Sequence, residues 1–271
     1  MKKIKHLMIW IGLLLSLVSC KDTMEAIGLG GDEIPAEGLV LNLQLTNFTK
    51  QQIGTRAGAS ETVKSLWAVF YGDNNEYKGK TDCYSTLSPR QPDGSYKVKI
   101  TNVPAGAKNV HLVANASDMT DDEAHDLQSL TAAKERDPQL DAPICWGKIS
   151  IDKLLEANPS VTMLRQCAKI SLEIDNSIQS NFTNAGLYVY NTATKAAIAP
   201  ANYIEPTTDD LAESTDLRTD NPLGGGTATT VAVNETSAGK AMVIIKANYK
   251  DSVGYYKVAL YKDANKTTQY A

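Results

Sequence analysis

Few side chains in this sequence have the type and spacing that catalysis requires. Beyond the first twenty residues the histidines are His111 and His125, and the chain has no GxSxG, HExxH, GxGxxG or phosphate-loop lysine pattern. His125 stands beside acidic residues, and a helix could place it on one face with Asp121 or Asp122, but a solvated acidic helix start explains the same residues. We therefore expect a protein that is not an enzyme, binds no cofactor and holds no metal.

Two further segments are weak candidates for ligand loops. The run from Asp73 to Tyr77 offers carboxylate and amide oxygens but lacks the sixth-position glycine and the closing glutamate of a calcium loop, so it is better interpreted as a hairpin turn. Gly224, Gly225 and Gly226 are not followed by lysine, which leaves phosphate binding poorly supported.

The cysteines leave two interpretations open. With Cys20 assigned to lipidation, as argued next, Cys83, Cys145 and Cys167 remain, and this odd number allows one disulfide and one free thiol. No CxxC or Cys/His spacing indicates a metal. We favour small buried residues in a β core.

The first twenty residues have the parts of a secretory signal. Lys2, Lys3 and Lys5 form a basic start, an apolar stretch runs over 7–18, and Leu17-Val18-Ser19-Cys20 resembles the lipobox that precedes an acylated cysteine. Acyl chains on Cys20 would anchor the chain at about 0.8 kcal/mol per buried methylene. The sequence therefore predicts an exported bacterial lipoprotein, tethered to a membrane by lipid and working outside the cytoplasm.

Composition narrows the class of protein. The 271 residues carry a formal net charge of −4 with scattered charges, which excludes the basic footprint of a nucleic-acid-binding protein. A hydrophobic content of 42% is enough to build cores. This length suits two domains.

The elements that must position these residues are mainly β. Short alternating or apolar segments bounded by turn residues predict strands at 39–45, 63–71, 96–100, 110–115, 161–164, 168–174, 186–190, 241–249 and 254–261. Residues 118–136 are the best helical segment, 149–155 fit a helical turn or a strand edge, and 200–229 read as a loop excursion. Many short strands with one short helical region predict two β-sandwich domains.

The expected domain boundaries follow from these segments. Residues 1–20 form the signal peptide, and 21–56 contain a flexible stalk (21–37) and the first strand. Residues 57–160 form an N-terminal β-sandwich, and 161–271 form a C-terminal β-sandwich that we expect to be incomplete at its C-terminus.

Several local patterns, taken in order, resemble the fimbrillins, the lipoprotein-exported pilin subunits of Bacteroidales type V pili. They are the lipobox at Cys20, the alternating strand 39–45, Thr55-Arg56-Ala57 before the strand beginning at Val63, Val113-Ala114-Asn115-Ala116, Ile144-Cys145-Trp146-Gly147, and the run from Leu164 to Ile170. The resemblance covers most of the chain.

This resemblance implies transthyretin-like sandwiches and assembly by donor-strand exchange at the outer membrane and cell surface. An Arg-specific protease would cut between Arg56 and Ala57 and release the strand carrying Leu39, Leu41, Leu43 and Leu45, and a strand from a neighbouring fimbrial subunit would fill the groove. Loss of buried leucines, each worth about 1.5–3 kcal/mol, would create such a strand-accepting groove. The implied role is adhesion to a host or bacterial surface ligand.

One feature departs from the family pattern, and rival functions stay open. Fimbrillins usually continue past the strand that resembles 255–260, whereas this sequence stops at Tyr270-Ala271, so we expect either a truncated sequence or a subunit without a donor strand. The main alternative is a monomeric outer-membrane lipoprotein that binds glycans through Trp146, Tyr188 or Tyr190, if these rings share an exposed patch. A secreted hydrolase with an unrecognised site is a weaker alternative.

Overall fold

The computed structural model describes residues 38–45, 62–120, 130–200, 216–234, 236, 240–250 and 252–258. All of these belong to one compact unit, Ala36–Ala271, and a separate unit, Met1–Pro35, lies outside the described residues. The predicted signal peptide, Cys20, the stalk, Arg56, Ala57 and His125 therefore also lie outside them.

Strands dominate the described chain. They are β1 (Leu39–Leu45), β2 (Leu66–Tyr71), β3 (Tyr77–Asp82), β4 (Tyr96–Ile100), β5 (Asn109–Ala114), β6 (Lys134–Glu135), β7 (Cys145–Ser150), β8 (Ser160–Arg165), β9 (Cys167–Ser171), β10 (Phe182–Tyr190), β11 (Thr192–Ala193), β12 (Lys195–Ala196), β13 (Leu217–Arg218), β14 (Leu223–Gly224), β15 (Thr230–Asn234), β16 (Met242–Tyr249) and β17 (Ser252–Val258). A four-residue helix, α1 (Ile151–Leu154), follows β7, with the Ser150 side chain accepting a hydrogen bond from the Lys153 N–H at its start.

The first sheet has seven strands in the order β3-β2-β5-β7-β8-β1-β4. Strand β8 joins its two halves, since Ser160–Met163 pairs in parallel with β1 and Leu164–Arg165 pairs antiparallel with β7. Each segment of β8 thus has a different neighbour, and the sheet divides into the layers β3-β2-β5-β7 and β8-β1-β4. These are the two layers of a sandwich.

Alternation in the sequence explains the second layer. β1 (LVLNLQL) and β4 (YKVKI) bury every other residue, and their antiparallel register places Leu41 opposite Val98 and Leu39 opposite Ile100 on the same face. This face is buried and the opposite one is solvated. The single apolar face of each strand fixes the register between β1 and β4, because a slip of one residue would turn the leucines to solvent.

Strands β2, β5 and β7 are buried on both faces. One face carries Phe70 and Leu112, both fully buried. The other face packs Val69, Val113 and Trp146 against residues from connecting segments, which are Ala116, Met119, Leu130, Ile198 and Ala199. These strands therefore read as nearly continuous apolar runs in the sequence.

The C-terminal part forms a smaller sandwich. A four-stranded sheet of order β14-β10-β16-β17 packs against the β9–β15 pair around Leu187, Val189, Val231, Val233 and Val243. The hairpin predicted from the alternation at 241–261 is β16 and β17, paired from Tyr249 opposite Ser252 to Val243 opposite Val258. The mainly β fold of two sandwiches with a short helix is confirmed.

The helix predicted over 118–136 is wrong in part of its described residues. Ser117–Thr120 is a 3-10 turn, and Lys134–Glu135 is strand β6, paired with Lys195 and Ala196 of β12. The reason is tertiary, because pairing with a strand sixty residues later supplies the backbone hydrogen bonds that a helix would have supplied, and the Arg136 guanidinium donates to the Ala196 carbonyl.

Two other expectations change in detail. Residues 217–218 and 223–224, inside the predicted loop excursion, form β13 and β14, and strand β3 was not predicted at all. Strand β8, which the sequence places at the start of the C-terminal domain, pairs with β1 and β7 of the first sheet. Residues 160–165 therefore pair with strands of the first sheet.

Candidate functional site: the first strand and its groove

Strand β1 lies inside the second layer of the first sandwich, between β8 and β4. It pairs in parallel with β8 from Asn42 to Leu45 and antiparallel with β4 from Leu39 to Leu43. Strand β4 is the last strand of the sheet, so β1 is its link to the rest of the sheet. Removing β1 would leave β8 and β4 about 9.6 Å apart, two strand spacings, with an unpaired backbone edge on each side.

The four leucines that the sequence singled out are not equally buried. Leu39, Leu41 and Leu43 are 8%, 0% and 1% exposed, Leu45 is half-buried, and Val40 on the opposite face is 54% exposed. The strand thus lies where the alternation predicts, with Leu41 and Leu43 at its centre. Burial of three leucines at about 1.5–3 kcal/mol each makes the strand strongly held without any covalent link.

The groove that β1 fills is lined by apolar side chains from its two neighbours. Val98 and Ile100 of β4 and Val161 and Met163 of β8 are all buried on the face shared with the leucines. A strand entering this groove would need apolar side chains at alternate positions. Its backbone would need to run parallel to β8.

Local features fix where β1 begins and how it is aligned. Gly38 has φ +84°, and a Cβ there would lie 2.5 Å from the Ile100 carbonyl oxygen, so glycine allows the chain to enter the sheet next to β4. The Asn42 backbone N–H and its side-chain Nδ2 both donate to the Pro159 carbonyl, at 3.0 and 3.2 Å. These contacts pin the register against the start of β8.

The three cysteines within the described residues are free and buried. Burial raises the pKa of Cys83 and of Cys145 to about 12 and that of Cys167 to about 11, so these thiols stay protonated at neutral pH. The interpretation of them as small core residues fits this arrangement. The open disulfide alternative is not formed among them.

The histidine that the structure describes is a core residue. His111 Nδ1 accepts a hydrogen bond from Trp146 Nε1 at 3.2 Å, and burial lowers the pKa of His111 to about 3. No group of three or more His, Cys, Asp or Glu within the described ranges could hold a metal ion. No described helix is long and apolar enough to cross a membrane.

The aromatic residues of the glycan-binding alternative are not assembled as one exposed patch. Trp146 is 1% exposed and packs in the core of the first sandwich, as core packing predicts. Tyr188 is half-buried on β10, and its hydroxyl accepts a hydrogen bond from the Gly226 N–H at 3.1 Å. An exposed face that includes Trp146 is therefore wrong.

The two weak ligand-loop candidates are turns. Asn74 and Asn75 have φ of 54° and 60° in a 3-10 turn between β2 and β3. Gly224, Gly225 and Gly226 all have positive φ, and a Cβ on Gly224 would lie 2.2 Å from the Leu187 carbonyl oxygen. Backbone geometry accounts for both segments without a ligand.

The parallel β1–β8 pairing is the part of the site that sequence reasoning missed. The pattern at 161–164 predicts a strand there, and the structure has one at Ser160–Arg165. Alternation reveals which face a strand buries but not which strand it pairs with. No local signal in the sequence could have found this partner.

The fold belongs to the class found in fimbrial proteins. A fimbrial assembly protein from Parabacteroides distasonis is 16% identical, with 86% of this chain and 88% of that chain covered at a TM-score of 0.50. A fimbrilin from Porphyromonas gingivalis is 13% identical, with 86% of this chain and 85% of that chain covered at a TM-score of 0.48. No protein-family model matches the chain, and no curated protein matches its sequence. The predicted resemblance to fimbrillins is confirmed at the level of the fold.

Proposed function

We propose that this protein is a structural or accessory subunit of a cell-surface fimbria, that it serves adhesion, and that it assembles by donor-strand exchange. The observation that carries the proposal is the position of β1. It is the first strand described, it lies between two strands of a sandwich, and it is held by three buried leucines. Likeness in fold to a fimbrial assembly protein supports the same reading.

Processing would make β1 replaceable. Arg56 stands in the sequence between the end of β1 at Leu45 and the start of β2 at Leu66, so a cut there separates β1 covalently from the rest of the sandwich. Cleavage alone would not empty the groove, because about 1.5–3 kcal/mol per buried leucine still holds the strand. Exchange therefore requires a competing strand from a neighbouring subunit.

The proposal includes an anchor, partners and a location. Acylated Cys20 would hold the precursor in the outer membrane until an Arg-specific protease removes residues up to Arg56, after which the subunit joins its neighbours in the fimbrium. The protein would act through surfaces and the groove, without a cofactor and without catalysis. Buried thiols and a neutral buried histidine are in keeping with a non-enzymatic role.

The test uses protein that starts at Lys21, treated with an Arg-specific protease. We expect a new N-terminus at Ala57 by sequencing, with the released segment still bound until a competitor is added. A labelled peptide covering residues 38–46 should then exchange into the cleaved protein on size-exclusion chromatography and raise its Tm. The Arg56→Gln variant should stay uncut and should not exchange.

A peptide of the same composition, with its leucines moved by one position to the alternate face, is the matched control. It should fail to exchange, since it would present polar side chains to the groove. The proposal would be wrong if cleaved protein does not exchange the first peptide, or if it exchanges both peptides equally. The glycan-binding lipoprotein would then become the leading alternative.

A further inference from the structure

Strand β4 has an outer edge that the candidate groove does not use. It is the last strand of the first sheet, and its inner edge pairs with β1 from Tyr96 to Ile100. In an antiparallel pair, the backbone groups of successive residues point alternately towards the partner strand and away from it. The backbone groups of Lys97 and Lys99 bond to residues outside the β1–β4 pair, so they point to the outer edge.

A short segment covers this outer edge. The Ser88 N–H donates to the Lys97 carbonyl at 2.7 Å, and the Lys97 N–H donates back to Ser88 Oγ at 2.8 Å. The Thr86 hydroxyl donates to the Lys99 carbonyl at 2.6 Å, the nearer of two carbonyls within its reach. We call residues 86–91 the edge cap.

The edge cap is fixed at both ends. At one end, the Gln91 N–H donates to the Ser95 carbonyl at 2.8 Å, and the Gly94 N–H donates to the Gln91 carbonyl at 2.9 Å, which closes the turn into β4. Just before the cap, the Cys83 N–H donates to the Leu66 carbonyl of β2 at 2.8 Å. The cap is therefore held between β2 and β4 by backbone hydrogen bonds.

The edge cap does not offer a regular edge in place of the one it covers. Pro89 has no N–H to donate. Its carbonyl accepts hydrogen bonds from Gln91 Nε2 at 2.8 Å and from Ser88 Oγ at 2.9 Å. A further strand needs N–H and C=O groups at alternate positions, so a proline with a carbonyl that is already bonded interrupts the ladder.

We propose that the edge cap blocks strand addition at the outer edge of β4, so that a donor strand pairs with β4 only from the groove side and only after β1 has left. The outer edge does not depend on β1, so without the cap it would be open in the uncleaved subunit too. A strand with the alternation of β1 would then extend the sheet before processing. The inference rests on the proposed function and deepens it, because the cap would make assembly depend on cleavage.

The experiment measures peptide binding to uncleaved protein that starts at Lys21. The probe is a fluorescently labelled peptide covering residues 38–46, which carries the alternation of β1. The double variant Thr86→Val with Ser88→Ala removes the two hydroxyls that bond to the Lys99 carbonyl and the Lys97 N–H. Fluorescence anisotropy should show that this variant binds the peptide about tenfold more tightly than the uncleaved parent protein does.

The matched control is Thr86→Ser with Ser88→Thr, which keeps a hydroxyl at both positions. It should bind the peptide as weakly as the parent protein does. A cooperative unfolding transition in circular dichroism checks that each variant is folded. If the double variant does not fold, Ser88→Ala alone still frees the Lys97 N–H and should bind about threefold more tightly than the parent protein.

Two results would overturn this inference. One is equal affinity of the folded cap variants and the uncleaved parent protein for the peptide. The other is a gain in affinity in the hydroxyl-keeping control that matches the gain in the double variant. Strand exchange is read separately, on cleaved parent protein with an intact cap, so failure of the proposed function and failure of the edge cap give different outcomes.

Discussion

His111 is the described side chain whose charge state the fold changes most plainly. His111 is buried, with the ring centroid of Tyr71 4.8 Å away and that of Trp146 5.4 Å away. Lys148 is a charged group close enough to affect it. A protonated imidazole here would lose its water and would face an ammonium group. The folded protein therefore keeps His111 neutral.

We predict that stability falls as the pH is lowered because of this histidine. Its pKa is about 3 in the folded state and about 6.5 when unfolded, so the unfolded chain binds the extra proton between these values. The free energy of unfolding should be highest above about pH 7 and should fall by about 1 kcal/mol by about pH 5.5. Urea unfolding between neutral pH and about pH 5.5, above the range where most carboxylates titrate, measures this slope.

The variant His111→Gln keeps a hydrogen-bond acceptor for Trp146 Nε1 but cannot titrate in this range. Its unfolding free energy should be lower at neutral pH and flatter with pH than that of the parent protein. An unchanged slope in the variant would mean that another group is responsible.

The leucines of β1 give a second prediction for single residues. Leu41→Ala should destabilise the protein by about 2–5 kcal/mol, because Leu41 is fully buried and its removal leaves a cavity. Val40→Ala on the exposed face of the same strand should cost less than about 1 kcal/mol. Chemical denaturation of the two variants makes the comparison, and similar losses would argue against the buried position of β1.

At the scale of elements, the glycine turn after β14 constrains how β14 meets β10. Gly224 has φ +87° and stands where a Cβ would lie 2.2 Å from the Leu187 carbonyl oxygen, while Gly226 has φ +58° with nothing within 4 Å of that position. The two glycines therefore share a left-handed backbone but differ in available space. This pair separates strain from steric collision.

We predict that Gly226→Ala costs about 1–2 kcal/mol, which is the penalty of the left-handed conformation. Gly224→Ala should cost more, above about 2 kcal/mol, because the carbonyl of β10 must move as well. Thermal unfolding of both variants measures the difference. Equal Tm values would show that the turn relaxes at no cost and that the close approach does not hold β14 in place.

Strand β1 itself shows how one element can be both integral and exchangeable. It has hydrogen-bonded neighbours on both edges, and its inner face is buried. Its covalent connection to the rest of the described unit, however, runs only through the segment that follows Leu45. Once that segment is cut, only non-covalent contacts hold β1 in the sandwich. This is the physical basis for competition by another strand with the same alternation.

At the scale of the whole molecule, a buried amide network joins distant segments of the described chain. Gln166, directly after β8, donates from Nε2 to Asn234 Oδ1 of β15 at 2.8 Å. Asn234 Nδ2 donates in turn to the carbonyls of Arg136 at 2.7 Å and of Ala193 at 3.2 Å. One side chain thus connects four segments of the chain in a buried setting.

Asn234→Ala should cost about 2–4 kcal/mol, because it leaves the buried Gln166 amide and backbone carbonyls without this partner. A double-mutant cycle with Gln166→Ala should show a coupling energy of about 0.5–3 kcal/mol. Urea unfolding, followed by both Trp fluorescence and circular dichroism, supplies the energies. Strictly additive losses would mean that Gln166 and Asn234 are not coupled energetically.

Much of the fold is written locally in the sequence. β1, β4 and the β16–β17 hairpin alternate between apolar and polar residues, and the structure has strands at nearly the predicted bounds. The asparagine-rich turn after β2 likewise follows from side chains that tolerate positive φ. These features depend on neighbours in the chain, so the sequence alone determines them. The same alternation determines that Leu39, Leu41 and Leu43 of β1 lie on one face.

Other features were decided only when distant segments met. Lys134–Glu135 became a strand because β12 lies beside it, and β8 belongs to the first sheet because it pairs with both β1 and β7. The burial of Trp146 also depends on the connecting segments that cover its strand. Local alternation records how many faces of a strand are buried, whereas pairing and coverage depend on non-local packing, which no short stretch of sequence contains.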